Sequence, residues 1–145
     1  MPDRPAGEIL ARRERTLWFA CRGAGTGGIV FPMIVLFTDF GLEGPYTGQV
    51  AAVLHESAPG TPFVSLFAAA PDGQPKPAAY LLAAYATGFR PGTVFLCVVD
   101  PGVGGDRQGL VIEADGRRFV GPDNGLFEIV LRRAARAHCS KITWH

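Results

Sequence analysis

The sequence predicts an α/β fold: a layered domain with a largely parallel sheet flanked by helices. Three runs of strand length, 33–38, 61–67 and 92–99, are predominantly apolar, which is typical of strands that are buried on both faces. Two segments of helical composition, 46–58 and 78–89, separate these runs. Such alternation of strands and helices favours a sheet whose successive strands are joined by helical crossovers.

Local signals place each element in chain order. The run MIVLFT begins the first strand at Met33, and DFGLEGP separates it from the first helix. The segment 70–77, APDGQPKP, is dense in turn residues and predicts a loop before the second helix. Gly88 marks the end of that helix, and the third strand follows it.

The remaining segments predict a hairpin, a helix and a final strand. The runs 109–115 and 117–121 flank Asp115-Gly116, a dipeptide favoured in tight hairpin turns. The segment 124–138 has an amphipathic pattern and predicts a helix that includes His138 on its surface. The last six residues, SKITWH (140–145), begin a further strand.

Composition limits the class of protein. The chain has 145 residues, which suits one domain, and we interpret 1–32 as a flexible extension of the domain 33–145. A net charge of +1 predicts neither a nucleic-acid nor a membrane partner, and no apolar run approaches the roughly 18 residues of a membrane helix. The cysteines Cys21, Cys97 and Cys139 lack paired spacing, which indicates reduced thiols in a cytoplasmic protein.

Three aspartates follow predicted strands: Asp39 in LFTDFG, Asp100 in CVVDPGVGG and Asp123 in FVGPDNG. Each could simply make a turn, and Asp123 could cap the helix that follows it. In a parallel sheet, however, the carboxyl ends of strands share one edge, where ligands bind. Carboxylates at that edge could hold a divalent metal, hold the hydroxyls of a ribose, or position a water.

The loop VVDPGVGGDR, residues 98–107, has few side chains between Asp100 and Arg107. Its glycines do not fit the spacing of phosphate-binding loops. They would instead allow the backbone to approach a ligand closely. We expect the loop to fold back and bring Arg107 into an ion pair with Asp100.

Three motifs together resemble one family: TDFGLEGPYTG (38–48), VVDPGVGGDR (98–107) and GPDNGL (121–126). The chain from Met33 to His145 is similar to the S-adenosyl-L-methionine hydroxide adenosyltransferases, the hydrolytic relatives of fluorinase and chlorinase. Asp100 stands where the halide-using relatives carry a tyrosine, so the resemblance implies a hydrolytic enzyme.

This resemblance implies that water attacks C5′ of S-adenosyl-L-methionine (SAM) and releases adenosine and L-methionine, with SAM as substrate and no cofactor or metal. It implies a homotrimer and gives Asp100 and Arg107 as the catalytic residues that activate water. Asp39 matches the carboxylate that holds the ribose hydroxyls, and Val103 matches a loop position near the reacting centre. The substrate-binding residues implied are Asp39, Phe40, Val103, Asp123 and Asn124.

The sequence also departs from the family. The family's catalytic histidine lies in a TFHGRD-like segment and is followed by a β-barrel domain, and the sequence contains neither. We therefore expect a truncated N-terminal domain with weak or absent turnover. The alternatives are a non-catalytic fragment that binds adenosine or SAM, a gene remnant, and a Mg²⁺-dependent phosphohydrolase that uses Asp39, Asp100 and Asp123.

Overall fold

The computed structural model describes residues 33–143, which form one six-stranded sheet and three helices. The strands are β1 (Ile34–Thr38), β2 (Phe63–Phe67), β3 (Val94–Val98), β4 (Gly109–Ala114), β5 (Arg117–Pro122) and β6 (Ala137–Lys141). The helices are α1 (Tyr46–Ser57), α2 (Pro75–Ala86) and α3 (Glu128–Arg133).

The sheet has the strand order β2-β1-β3-β5-β4-β6. The pairs β1–β2, β1–β3 and β3–β5 are parallel, whereas β4 runs antiparallel to both β5 and β6. The predicted fold class, a largely parallel sheet flanked by helices, is therefore confirmed. The hairpin about Asp115-Gly116 is also confirmed, with Val111 opposite Val120 in its register.

One face of the sheet carries the core, which α2 and α3 cover. Alternate residues of the central strands point into it and are fully buried, as the pleat requires. Phe95 of β3 stacks on Phe119 of β5 with ring centroids 4.8 Å apart, and Phe119 in turn contacts Phe127 just before α3. The core residues Val35, Phe37, Cys97, Leu82 and Leu126 are likewise inaccessible to solvent, so this face holds the central strands in fixed register.

The other face is less completely covered. Leu36 and Thr38 of β1 are buried there, but Leu96 of β3 and Val120 of β5 are only half-buried. Helix α1 contributes no buried side chain to either face. The sheet therefore carries one well-packed layer and one thin layer within residues 33–143.

Helices α2 and α3 have boundaries that differ clearly from the sequence prediction. Helix α2 begins at Pro75 rather than at residue 78, because proline in the first helical turn lacks only an N–H that has no helical partner there. Helix α3 covers only Glu128–Arg133 instead of 124–138. The prediction that His138 lies on a helix is wrong, since His138 is an exposed residue of β6.

Asp115 explains why α3 ends early. Its carboxylate accepts the backbone N–H groups of Ala135 and Arg136, and its own N–H donates to the carbonyl of Arg136. These bonds hold 135–136 in a bend that leads directly into β6. The alanine-rich sequence favours a helix here, but the tertiary contacts override that local preference.

Several predictions fall on residues outside the described part of the chain. The extension 1–32, Cys21 and the end of the predicted last strand at 144–145 lie there, so the domain boundary at Met33 stays a prediction. Strand β6 itself begins at Ala137, three residues before the predicted start. No helix between residues 33 and 143 has both the length and the apolar character needed to cross a bilayer.

Candidate active site

The three aspartates predicted at strand ends lie at one edge of the sheet. Asp39 directly follows β1, Asp123 directly follows β5, and Asp100 lies two residues beyond β3. These strands are parallel neighbours in the order β1-β3-β5. The N–H of Asp39 donates to the carbonyl of Val98 at 3.2 Å, which fixes the end of β1 beside the start of the loop 99–108. The topology therefore gathers all three at the carboxyl edge, where parallel sheets bind ligands.

Asp100 and Arg107 form the ion pair expected from the sequence. Arg107 Nε lies 3.0 Å from Asp100 Oδ1, and the N–H of Gly102 donates to the same oxygen at 2.9 Å. The side chain of Asp100 is 9% exposed and that of Arg107 is 35% exposed. Within residues 33–143 both donors use Oδ1, so Oδ2 keeps its lone pairs for a small molecule at the surface of the loop.

Gly102 makes this ion pair possible. A Cβ at position 102 would lie 2.6 Å from Arg107 Nη2 and 3.5 Å from Asp100 Oδ1, which is too close for the guanidinium to stay where it is. The missing side chain therefore creates the space that Arg107 occupies. The sequence analysis assigned the glycines of this loop only to close approach by a ligand, because the space at Gly102 depends on where Arg107 folds back.

Asp39 is held by a loop that sequence reasoning did not connect with it. Its Oδ2 accepts the N–H of Gly73 at 3.1 Å, and the residue is half-buried. Gly73 has a φ of +57°, and a Cβ there would lie 3.6 Å from Pro101 Cβ. The turn PDGQ thus joins the ends of β1 and β3 at this edge. Its turn composition was visible in the sequence, but the contact depends on three-dimensional packing.

The remaining predicted substrate-binding residues surround this edge. The ring of Phe40 is half-buried and contacts Tyr46, with centroids 5.8 Å apart. Val103, at the tip of the glycine loop, is 73% exposed. Asp123 is exposed, whereas Asn124 is half-buried and uses its side chain for two backbone hydrogen bonds. The alternative that Asp123 caps the following helix is excluded, because the N-cap of α3 is Phe127.

Neither described histidine lies at this edge. His55 is in the last turn of α1 and its ring contacts Phe63, the first residue of β2, with centroids 5.1 Å apart. His138 follows the first residue of β6 and pairs in register with Glu113 near the Asp115-Gly116 turn. Both positions are at the amino ends of the parallel strands, so residues 33–143 offer no histidine to act with Asp100 and Arg107.

No three histidine, cysteine, aspartate or glutamate side chains in the described chain group closely enough to hold a metal ion. Asp39, Asp100 and Asp123 share an edge but do not form such a group. A cavity of about 720 Å³ lies at the opposite, amino edge, where its lining includes Arg117, Arg118 and Arg136. Its lining also includes Glu113 and Asp115, and its position separates it from the three aspartates.

Comparison with known proteins identifies the family. Residues 34–145 match the model of the SAM hydroxide adenosyltransferase N-terminal domain. The chain belongs to the SAM hydroxide adenosyltransferase family. An (R)-S-adenosyl-L-methionine hydrolase of Thermus thermophilus is 46% identical over 97 residues, 66% of this chain and 37% of the relative. A Salinispora tropica protein of the same name is 37% identical over 95 residues, 66% of this chain and 36% of the relative.

A solved structure has the same fold. The crystal structure of an uncharacterized conserved protein from Thermotoga maritima superposes with a TM-score of 0.73 at 32% identity, covering 77% of this chain and 43% of that one. The chain thus spans well under half the length of the SAM hydrolases and of this structure. The predicted resemblance is confirmed, and the site residues that it implied stay predictions.

Proposed function

We propose that this SAM hydroxide adenosyltransferase domain binds SAM at the carboxyl edge of the sheet and that water attacks C5′ to release adenosine and L-methionine. The observation that carries the proposal is the Asp100–Arg107 ion pair, set in a loop of glycines beside Asp39. The names of the relatives support the same reaction.

Asp100 and Arg107 have different roles in positioning the water: Arg107 holds Asp100, and Asp100 binds the water. Arg107 Nε and the N–H of Gly102 fix Asp100 through Oδ1. Oδ2 then accepts a hydrogen bond from a water and orients its oxygen toward C5′. Such orientation contributes to rate because it replaces a bimolecular encounter with a fixed geometry.

The reaction balances without an added acid. The water oxygen forms a bond to C5′ as the C5′–S bond breaks, and that electron pair leaves on a neutral thioether sulfur. The water then loses one proton, which Asp100 accepts and passes to solvent. The products are adenosine, L-methionine and one proton.

The charge of this edge suits a sulfonium substrate. Several carboxylates lie at or near the carboxyl ends of the parallel strands: Asp39, Asp72, Asp100, Asp106 and Asp123. Fewer cations lie there: Arg107 is paired with Asp100, and Lys141 of β6 lies opposite Leu110 near the same edge. An edge with this excess of negative charge raises the local concentration of a cation such as SAM.

A binding module without turnover is the second candidate function. It is favoured by the absence of a histidine near Asp100 and Arg107 within residues 33–143. In that case the chain would bind adenosine or SAM through Asp39 but would not hydrolyse SAM at a measurable rate.

One experiment separates the two functions. The purified chain is incubated with SAM in H₂¹⁸O, and the products are followed by chromatography and mass spectrometry. Adenosine that carries ¹⁸O at its 5′ oxygen, with an equal amount of methionine, supports hydrolysis at C5′. Calorimetric binding of adenosine without release of product supports the binding module, and absence of both contradicts the proposal.

We also propose that the protein acts in the cytoplasm, and the homotrimer that the resemblance implies for the family is a further point to test for this chain. The cysteine pattern and the family resemblance support these two points. Light scattering after size-exclusion chromatography measures the mass directly, and a monomer at micromolar concentration would contradict the trimer.

A further inference from the structure

The glycine loop is held at both ends by two consecutive residues. Asn124 Nδ2 donates to the carbonyl of Val99 at 2.8 Å, immediately before Asp100. The N–H of Asp123 donates to the carbonyl of Gln108 at 2.9 Å, immediately after Arg107. We call Asp123 and Asn124 the loop clamp, because together they fix the two residues that bracket the Asp100–Arg107 segment.

The loop needs such a clamp because its own bonds are few. Residues 103–108 are exposed, and the backbone–backbone bonds within the loop join Val103 to Asp100 and Gly105 to Gly102 at 3.3 and 3.1 Å. Three glycines give the segment many conformations in which Arg107 does not reach Asp100. Fixing the two ends removes most of those conformations before the ion pair forms.

The clamp also touches the ion pair itself. Arg107 Nη1 donates to the carbonyl of Asp123 at 3.5 Å, while its Nε bonds Asp100. Arg107 is therefore held on one side by the carboxylate and on the other by the clamp backbone. The position of that backbone depends on Asn124, whose Oδ1 accepts the N–H of Leu126 at 3.2 Å.

We propose that Asn124 is a positioning residue that orients the Asp100–Arg107 pair through Val99, and that it does not act by contacting the substrate. Both polar atoms of its amide are used by backbone groups, and the side chain is half-buried. The effect on turnover rests on the proposed function, whereas the effect on the ion pair does not.

Two substitutions distinguish the hydrogen bond from Asn124 to Val99 from the hydrogen bond that Asn124 accepts from Leu126 within its own turn. Asn124→Ser keeps a short oxygen that can accept the N–H of Leu126, but it cannot reach the carbonyl of Val99. Asn124→Ala removes both bonds. Gln108→Ala is the matched control, because it deletes an exposed amide next to Arg107 and keeps the backbone carbonyl that Asp123 uses.

The test is the exchange of the Arg107 Nε proton, measured by ¹⁵N NMR and assigned with Arg107→Lys. We expect Nε–H exchange to quicken roughly tenfold in both Asn124 variants and to stay at the wild-type rate in Gln108→Ala. Thermal unfolding of each variant identifies any general loss of structure. If the Arg107 Nε–H exchanges as slowly in Asn124→Ser as in the wild type, Asn124 does not position the ion pair and the proposal is wrong.

Kinetics give a second, separate readout. If the chain hydrolyses SAM, Asn124→Ser should lower kcat by about tenfold to a hundredfold at nearly constant KM. A raised KM at unchanged kcat would indicate direct contact with substrate and overturn the positioning role. If the wild type shows no hydrolysis, the proposed function is wrong. The NMR measurement still tests whether Asn124 positions the Asp100–Arg107 pair.

Discussion

Arg107 Nε donates to Asp100 Oδ1 across a loop that contains Gly102, Gly104 and Gly105. The carboxylate is nearly buried, whereas about a third of the guanidinium side chain is exposed. The pair therefore sits at the boundary between the sheet and solvent, where a small cationic molecule can reach it. A surface ion pair of this kind adds little to stability. We therefore infer that its main effect is to orient the carboxylate of Asp100.

Gly102→Ala should separate activity from stability. The added Cβ would meet Nη2, the mobile end of Arg107, rather than backbone. Arg107 can swing away, so we expect the unfolding free energy to change by less than about 1 kcal/mol. Misplacing the guanidinium should lower SAM hydrolysis by about 10²-fold. Urea unfolding and an adenosine-release assay measure the two effects.

Gly104→Ala is the contrasting control in the same loop. Nothing lies within 4 Å of a Cβ there, but φ is +86°, a conformation that costs alanine about 1 kcal/mol or more. This variant should lose stability and keep the Asp100–Arg107 bond. If Gly102→Ala is as active as the wild type, the account of Gly102 is wrong.

Gly121→Ala should destabilise the fold strongly. A Cβ at this position would overlap the backbone oxygen of Cys97 and would lie 3.0 Å from the ring of Phe127. Neither β3 nor β5 can move without disturbing the core, so we expect a loss of about 3 kcal/mol in urea unfolding. Gly48→Ala, in α1 with open space around it, should instead stabilise by about 0.5–1 kcal/mol. Equal effects of the two variants would contradict this packing.

Asp115 should make stability depend on pH in the acid range. The N–H groups of Arg136 and Ala135, in that order of effect, lower the pKa of its carboxyl below the ordinary value. The unfolded chain then binds the proton more readily, so the contribution is complete above about pH 4 and is lost as the pH falls through the folded pKa.

The matched variant for that prediction is Asp115→Asn. Asn tolerates the positive φ of 47° at this turn, but its amide oxygen is a weaker acceptor for two N–H groups. Urea unfolding between pH 3 and pH 7 should show a flatter acid dependence in the variant. Parallel profiles for wild type and variant would show that Asp115 does not carry the effect.

Asp39→Asn should weaken adenosine binding. A carboxylate accepts hydrogen bonds from two neighbouring hydroxyls, whereas an amide has one accepting oxygen. We expect the Kd to rise by about tenfold or more in calorimetry. Asp72→Asn removes an equal charge from an exposed residue of the nearby loop and should leave Kd within about threefold. A similar rise in both variants would assign the effect to overall charge.

The sequence predicted the parts of this structure that depend on local pattern. Apolar runs gave β1 and β3, and Asp115-Gly116 gave the β4–β5 hairpin. The spacing of Asp100 and Arg107 in a glycine loop predicted their ion pair, because the loop is short and few side chains oppose its closure. These features follow from residues close together in the chain.

Features that depend on distant residues could not be predicted. The end of α3 is set by Asp115, some 20 residues away, and the alanine-rich segment by itself favours a longer helix. The contact of Gly73 with Asp39 spans 34 residues, and that of Asn124 with Val99 spans 25. Only the folded sheet brings the two members of each pair together.

The initial rate of adenosine release from SAM shows whether Asp100 positions the attacking water. The wild type is compared with Asp100→Asn and with Asp106→Asn, an equal change of charge at an exposed residue of the same loop. We predict a fall of about 10²–10⁴-fold in Asp100→Asn and a change within about threefold in Asp106→Asn. Wild-type rates in Asp100→Asn, or equal losses in both variants, would show that Asp100 does not position the water.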